Sequence, residues 1–399
     1  MFHLLFYRET GLHPPGKLSE LEKTRRAYSM QLSSEKTFEE VHFSGVNSVA
    51  LSQNAFGRFL LSADSKGAIG IHDLGTIDQA PRKVLAKVDR ELASSHKLSV
   101  ETVSWYPHDT GLFVSSSVDG TVKVWDTNAL ECVENFTFGD MVYDHQMSPV
   151  AVKRSLVAVA CKDSRVYLAD LQSGSATHIL RGHTKDVLSL AWSTRNPFLL
   201  ATGSRDNKVL LWDIRKASSA LFVLDQHNGK ESSENLKSQT AHNGHVNSLH
   251  FASNGLYLLS YGTDDRLRLW DVTTGKNTLV NYGRICNPCK KGVQIAVSCT
   301  SRELVFLPSE SDIVVVELHT GKHVTELKGH YHNVNCCSFE KDYQELYSGS
   351  NDTYLLAWHP EMGRSKTAVD SQGSSRNSDP RTQVGPVGYQ DCWSSDEDS

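Results

Sequence analysis

HTKDVLSLAW (residues 183–192) and, a short stretch later, TGSRDNKVLLWD (residues 202–213) make one unit. It opens on His183, places Val187 four residues on and Trp192 nine on, reaches Asp206 after 23, and closes on Trp212 and Asp213. The apolar run Val209, Leu210 and Leu211 after Lys208 reads as a strand packed between neighbouring sheets. Three further segments repeat the unit: HKLSVETVSW…SSSVDGTVKVWD, HNGHVNSLHF…SYGTDDRLRLWD and HYHNVNCCSF…SGSNDTYLLAWH. In each, an Asp follows the His by 22 or 23 residues and precedes a Trp by six. These positions are His96, Asp119 and Trp125; His242, Asp264 and Trp270; His330, Asp352 and Trp358.

The pattern resembles the WD-repeat family, in which each unit of about 40 residues is one blade of a β-propeller. Three weaker copies fill the gaps, with His72, Ala169 and Val316 at the Trp position. The expected fold is therefore all-β: a seven-bladed WD-repeat β-propeller over residues 35–360, preceded by an N-terminal helical element (1–34) and followed by a disordered acidic tail (361–399). No strand-like run follows Trp358, which leaves the last blade one strand short. EKTFEEVH, residues 35–42, is the unassigned strand near the start, so residues 37–42 are expected to pair with the seventh blade and join the two ends of the chain.

Composition narrows the function classes. The chain has 399 residues, 39% of them hydrophobic and 22% charged, with net charge −5. That balance argues against strong nonspecific, and against direct sequence-specific, binding to DNA, and favours protein partners. No apolar run is long enough to cross a bilayer, so no membrane association is expected. Eight cysteines without a framework of spacings fit a reducing compartment, cytosolic or nuclear.

A Ser/Thr, a His and an Asp recur together in each good blade, as in His183, Thr202 or Ser204, and Asp206. A catalytic triad occurs once; a set that repeats with the blades is better read as a buried hydrogen-bond network ending on the Trp indole. CNPC (286–289) has zinc-knuckle spacing but lacks a second pair, and no phosphate loop is present, so neither metal nor cofactor is expected. Adjacent Cys336 and Cys337 in a strand point to opposite faces. Arg181, Lys185 and Arg205 flank the fourth blade's His and Asp and form a candidate positive patch. Two long insertions, residues 75–95 and LDQHNGKESSENLKSQT (224–240), are expected on that same face.

At the N-terminus, KLSELEKTRRAYSMQL places Leu18, Leu21, Tyr28 and Leu32 near one helical face, with Ser19 and Glu22 as a capping box. MFHLLFYRET is a shorter amphipathic stretch ahead of it. At the other end, Ser394 and Ser395 precede an acidic run and are candidate phosphorylation sites.

Some loop stretches go beyond the generic repeat: SVETVSWYPHDTGLF, KVWDTN, HQMSPV, LDQHNGK, NTLVNYG and QELYSGSND. Together they resemble the Cockayne syndrome group A family of substrate receptors in cullin-RING ubiquitin ligases, over residues 8–358. That resemblance implies a nuclear, non-catalytic receptor subunit acting in transcription-coupled nucleotide excision repair. It implies binding to the ligase's damaged-DNA-binding adaptor through a Trp-Asp-x-Arg box and an N-terminal helical element. Here the box is Trp212, Asp213, Ile214 and Arg215, and the implied adaptor contacts are Arg215, Asp213, Leu4, Leu5, Phe6, Leu18, Leu21, Arg25 and Tyr28. Other Trp-Asp copies continue without the arginine, so Arg215 is no part of the repeat. The Cockayne syndrome group B ATPase and stalled RNA polymerase are implied as partners. A generic WD-repeat scaffold without ligase connection is the alternative.

Overall fold

Seven four-stranded antiparallel sheets follow one another along the chain, over residues 46–88, 100–137, 142–181, 187–223, 246–277, 296–328 and, for three strands of the last, 334–360. The computed structural model describes residues 10–11, 15–33, 38–52, 57–75, 81–107, 109–151, 156–216, 220–229 and 239–361. Leu4, Leu5 and Phe6, and the expected acidic tail with Ser394 and Ser395, lie outside these residues.

Side chains alternate across each strand, so every sheet has two apolar faces that only its neighbours can cover. In the fourth sheet Leu210 and Trp212 pack with Ala158, Ala160, Val166 and Leu168 of the third. Val209 and Leu211, pointing the other way, pack with Phe251, Leu258 and Trp270 of the fifth. Cys336 and Cys337 likewise fall into different core clusters.

The ring closes one segment earlier than expected. Met30–Leu32 is the fourth strand of the seventh blade, in register Met30↔Pro360, Gln31↔His359 and Leu32↔Trp358. The hydrogen bonds Ser33 N–H to Ala357 O (2.9 Å) and Glu361 N–H to Ser29 O (2.7 Å) extend the pairing. Residues 37–42 do not take that place. Phe38 bridges Arg82 in the first blade, and its ring meets His72 edge-on at 5.2 Å and Tyr347 at 6.1 Å, one from each adjoining blade. A phenyl ring buries more apolar surface in that seam than it would on an outermost strand. His42, meanwhile, is committed to the first blade's own network. The propeller therefore starts within the segment assigned to the N-terminal element.

That element is a helix, α1, Pro15–Tyr28. It begins on the proline, whose missing N–H costs nothing at a helix start. Ser19 thus lies inside the helix and caps nothing, and Glu22 pairs with Arg25 instead (2.7 Å). Leu32 is on the closing strand, not on the helical face. Tyr28, half-buried, joins Ala27 and Met30 against the sixth and seventh blades, whereas Leu21 is exposed.

The up-and-down path of each blade sorts its loops. The His-bearing loops and the Asp-bearing turns share one face of the disc; the first-to-second-strand turns and the Trp-Asp ends share the other. Residues 75–95 are consequently not one loop on the His–Asp face, because the strand Val84–Val88 runs through them. The part after this strand, residues 89–95, emerges on the His–Asp face. The stem of the other insertion is laid along the fifth blade: Asp225 bridges Lys276. Asn228 Nδ2 donates to Asn277 O (2.9 Å) while Asn277 N–H donates to Asn228 Oδ1 (2.7 Å).

Candidate interaction faces

His183 and Asp206 are brought together under Thr202 and Trp212. His183 Nδ1 lies 3.0 Å from Asp206 Oδ2 and its Nε2 2.7 Å from the Thr202 hydroxyl, to which Trp212 Nε1 donates at 2.9 Å. One tautomer satisfies the chain: indole N–H to hydroxyl, hydroxyl to Nε2, Nδ1–H to carboxylate. His96, Ser115, Asp119 and Trp125 repeat the arrangement with all three contacts between 2.7 and 3.0 Å. His242, Ser260, Asp264 and Trp270 do so as well, as do His330, Ser348, Asp352 and Trp358. In the first blade His72 stands in for the Trp, its Nε2 2.9 Å from the Ser62 hydroxyl that His42 also meets. Burial opposes charge on Asp119 and Asp264, yet the hydrogen bonds from His96 and His242 outweigh it and hold both carboxyls well below the usual carboxylate range.

These networks brace blades. Thr202→Val, which leaves the buried Trp212 N–H and His183 Nε2 without a partner, is expected to cost about 2 kcal/mol in urea unfolding at unchanged slope.

The Arg215 guanidinium is held in place by Asp213. The strand Val209–Asp213 runs into a short 3-10 turn, Ile214–Lys216. There Asp213 accepts from the Arg215 backbone N–H (3.0 Å), Nε (2.9 Å) and Nη2 (2.6 Å). The guanidinium also lies 4.7 Å from the centre of the Phe198 ring. Its side chain is 59% exposed and that of Asp213 12%. The hydrogen bond from Arg215, above all, lowers the Asp213 pKa. Part of the Arg215 donor fork is thus spent on Asp213, which fixes the orientation of the rest. Nothing in the sequence singled out Phe198.

α1 sits on the same face as Arg215. Arg26 Nη2 donates to Tyr343 O at 2.9 Å, and the Thr24 hydroxyl lies 3.1 Å from that of Ser301. Tyr343 and Ser301 belong to first-to-second-strand turns of the seventh and sixth blades. Leu21 and Arg25 face outward and Leu18 is half-buried.

On the His–Asp face Arg181 and Lys185 are exposed. Arg205 is not a free charge: it pairs with Asp186 at 2.8 Å and lies 5.6 Å from the Tyr143 ring.

Between the faces runs a central cavity of about 1000 Å³ lined by the first strand of each blade. Asp144 there accepts the Leu190 N–H (2.8 Å) and the Thr102 hydroxyl (3.1 Å), clipping the second, third and fourth blades together, and burial pushes its carboxyl up to about 7. Gln294 does the same between the sixth and first blades, donating to Val49 O at 2.8 Å and accepting from Val49 N–H. Neither residue repeats between blades, so the pattern that revealed the propeller could not reveal them. Cys286 donates to Glu310 (3.2 Å), and among the described residues no group of three or more His, Cys, Asp or Glu is placed to hold a metal ion.

The model of the WD domain, G-beta repeat, matches residues 89–126, 174–213, 233–271 and 321–359. The WD repeat-containing protein ATCSA-1 of Arabidopsis thaliana is 32% identical over 94% of this chain and the whole of the plant protein. The chain belongs to the WD-repeat family. This WD-repeat protein is also similar to Radiation-sensitive protein 28 of Saccharomyces cerevisiae, 27% identical over 47% of the chain and 41% of the yeast protein. A Ribosome biogenesis protein WDR12 homolog of Aedes aegypti is 32% identical over 34% of the chain and 32% of the mosquito protein. WD-repeat propellers typically serve as non-catalytic scaffolds for protein partners, and among the described residues no helix is long and apolar enough to cross a membrane.

Proposed function

We propose that this protein is the substrate-recognition subunit of a cullin-RING ubiquitin ligase in the nucleus, serving transcription-coupled nucleotide excision repair. It binds the damaged-DNA-binding adaptor through one face and presents targets on the other. The observation that carries the reading is that Arg215 and α1, distant in sequence, share the face opposite the His–Asp loops. One docking protein can therefore touch both. The plant relative whose name includes CSA, similar along its whole length, and a yeast relative named for radiation sensitivity support the reading. The Cockayne syndrome group B ATPase and stalled RNA polymerase are the proposed neighbours on the target side. The receptor performs no chemistry and acts by tethering, which raises the local concentration of target lysines near loaded ubiquitin.

The test is capture of the purified adaptor. Removing residues 1–34 would also remove the closing strand Met30–Leu32, so the informative forms are a truncation of residues 1–14, Leu21→Asp and Arg215→Ala. Arg215→Ala is expected to weaken capture at least tenfold with an unchanged melting temperature, since its side chain is largely exposed. If the intact chain captures no adaptor, only a WD-repeat scaffold without ligase connection remains.

A further inference from the structure

The residue after each network His is held at a fixed place on the His–Asp face, because its backbone N–H donates to the blade's own Asp. Lys97 donates to Asp119 (3.3 Å), Thr184 to Asp206, Asn243 to Asp264 and Tyr331 to Asp352 (each 3.0 Å). Phe43 occupies the corresponding position after His42. The five side chains give the face a chemical polarity: aromatic in the two blades at the closure, cationic in the next, small and polar across the ring.

The aromatic sector is continuous. Tyr331 is pinned to Asp352, and the neighbouring Asn351 packs so closely on Gly45 that a Cβ there would come within 2.6 Å of its side chain. Gly45 O accepts from Ser65 N–H at 2.9 Å. Two residues on, a Cβ at Gly67 would fall 3.0 Å from Leu98 O. Tyr331, Phe43 and Leu98, with Tyr354 beside them, are therefore carried by loops in direct contact. Their exposures are 83%, 75%, 49% and 45%. Isolated exposed apolar residues are ordinary; four on touching loops, held by a rigid scaffold, make a recognition surface. Exposed Lys66 and Lys97 rise from the same turns, and neither has an ion-pair partner among the described residues. Lys87, whose ammonium lies 5.3 Å from the Phe43 ring, is paired with Asp89.

From this we infer that the His–Asp face at the seventh, first and second blades docks a linear peptide of a partner protein, with an aromatic or leucine anchor beside carboxylates. The anchor covers Phe43 and Tyr331, and the carboxylates meet Lys66 and Lys97. The inference rests on the proposed use of this face for targets and gives that target its chemistry. Two free lysines among apolar residues are too few for a nucleic-acid footprint, which relies on many phosphate contacts. They suit a short acidic segment, in which the anchor supplies most of the affinity and the charges set orientation and on-rate.

The test uses a phage-displayed library of random 12-residue peptides selected on the full chain without adaptor. Selected peptides, synthesised with a fluorophore, are then titrated by anisotropy. Expected are sequences with Trp, Phe or Leu beside Asp or Glu. They should bind at least tenfold more weakly to Phe43→Ser/Tyr331→Ser and to Lys66→Glu/Lys97→Glu, and lose affinity as salt rises. All four positions are exposed, so melting temperatures should stay unchanged. Selection of no acidic-apolar peptides, or of peptides that bind both variants as well as the native chain, overturns the inference. Adaptor capture by the same variants is scored separately. It should be intact, so failure of the peptide site and failure of the receptor reading are distinguishable.

Discussion

Arg58→Ala should destabilise the propeller by about 3–5 kcal/mol, the usual result of removing one member of a buried ion pair. Arg58 lies just before the first blade's second strand and reaches into the seventh. Its Nε donates to Glu340 Oε1 (2.8 Å) and its Nη2 to Glu340 Oε2 (2.5 Å) and Glu345 Oε2 (3.0 Å), while the guanidinium lies 3.5 Å from the centre of the Tyr343 ring. Glu345 in turn accepts from the Tyr347 hydroxyl (2.6 Å), which accepts from Arg82 Nη1 (3.2 Å). Side-chain exposures of 16% for Arg58, 14% for Glu340 and 6% for Glu345 leave little solvent to screen them. Burial works against charge on Arg58, but its hydrogen bond to Glu340 and the nearby carboxylates outweigh it and raise its pKa. Without Arg58 two carboxylates of the seventh blade, opposite one another on neighbouring strands, are left without their cation at the seam with the first blade. The expected readout is a melting temperature lower by on the order of 5–10 °C. Arg58→Met/Glu340→Gln should recover part of the loss by removing one stranded charge. If the double variant melts no higher than Arg58→Ala, the cost lies in packing and the ion-pair account fails.

Acid should weaken the fold well before ordinary carboxylates titrate. His72 and His145 are wholly buried, and burial, first among the causes, depresses each to about 3. His145 stays neutral between two hydroxyls, Nε2 2.7 Å from Ser104 and Nδ1 2.9 Å from Ser116. Between the unfolded value of about 6.5 and the folded value, the unfolded chain binds the additional proton, so stability falls as pH falls. Each group contributes about 1.4 kcal/mol per pH unit. His250, lowered to about 4, acts in the same sense, and Asp144, raised to about 7, in the opposite one. Both face the channel, and they largely cancel. From pH 7 to 5 the net loss is about 4 kcal/mol. Thermal melts across that range check it, and His145→Phe should roughly halve the slope. An unchanged slope in that variant would show that acid acts elsewhere. Asp119 and Asp264, whose carboxyl pKa values are depressed, keep their contribution across this range and lose it only at lower pH, from the unfolded carboxylate value of about 3.9 downward.

What the sequence determined by itself is the repeating part of this protein. The His, Asp and Trp spacing follows from a local requirement, one blade satisfying its own buried donors and acceptors, so it is written four times and can be read. Seven blades, two faces and the exceptional Arg215 all follow from that register. Only the tertiary structure decided what is unique. Met30–Leu32, and not residues 37–42, closes the ring because Phe38 gains more in the seam and His42 is needed in the first blade. Phe198 lies against the Arg215 guanidinium, Arg58 ties the first blade to the seventh, and Asp144 and Gln294 clip inner strands of different blades. Each of these is a particular set of contacts, most of them between different blades, fixed by packing and charge, and it leaves no periodic trace along the sequence.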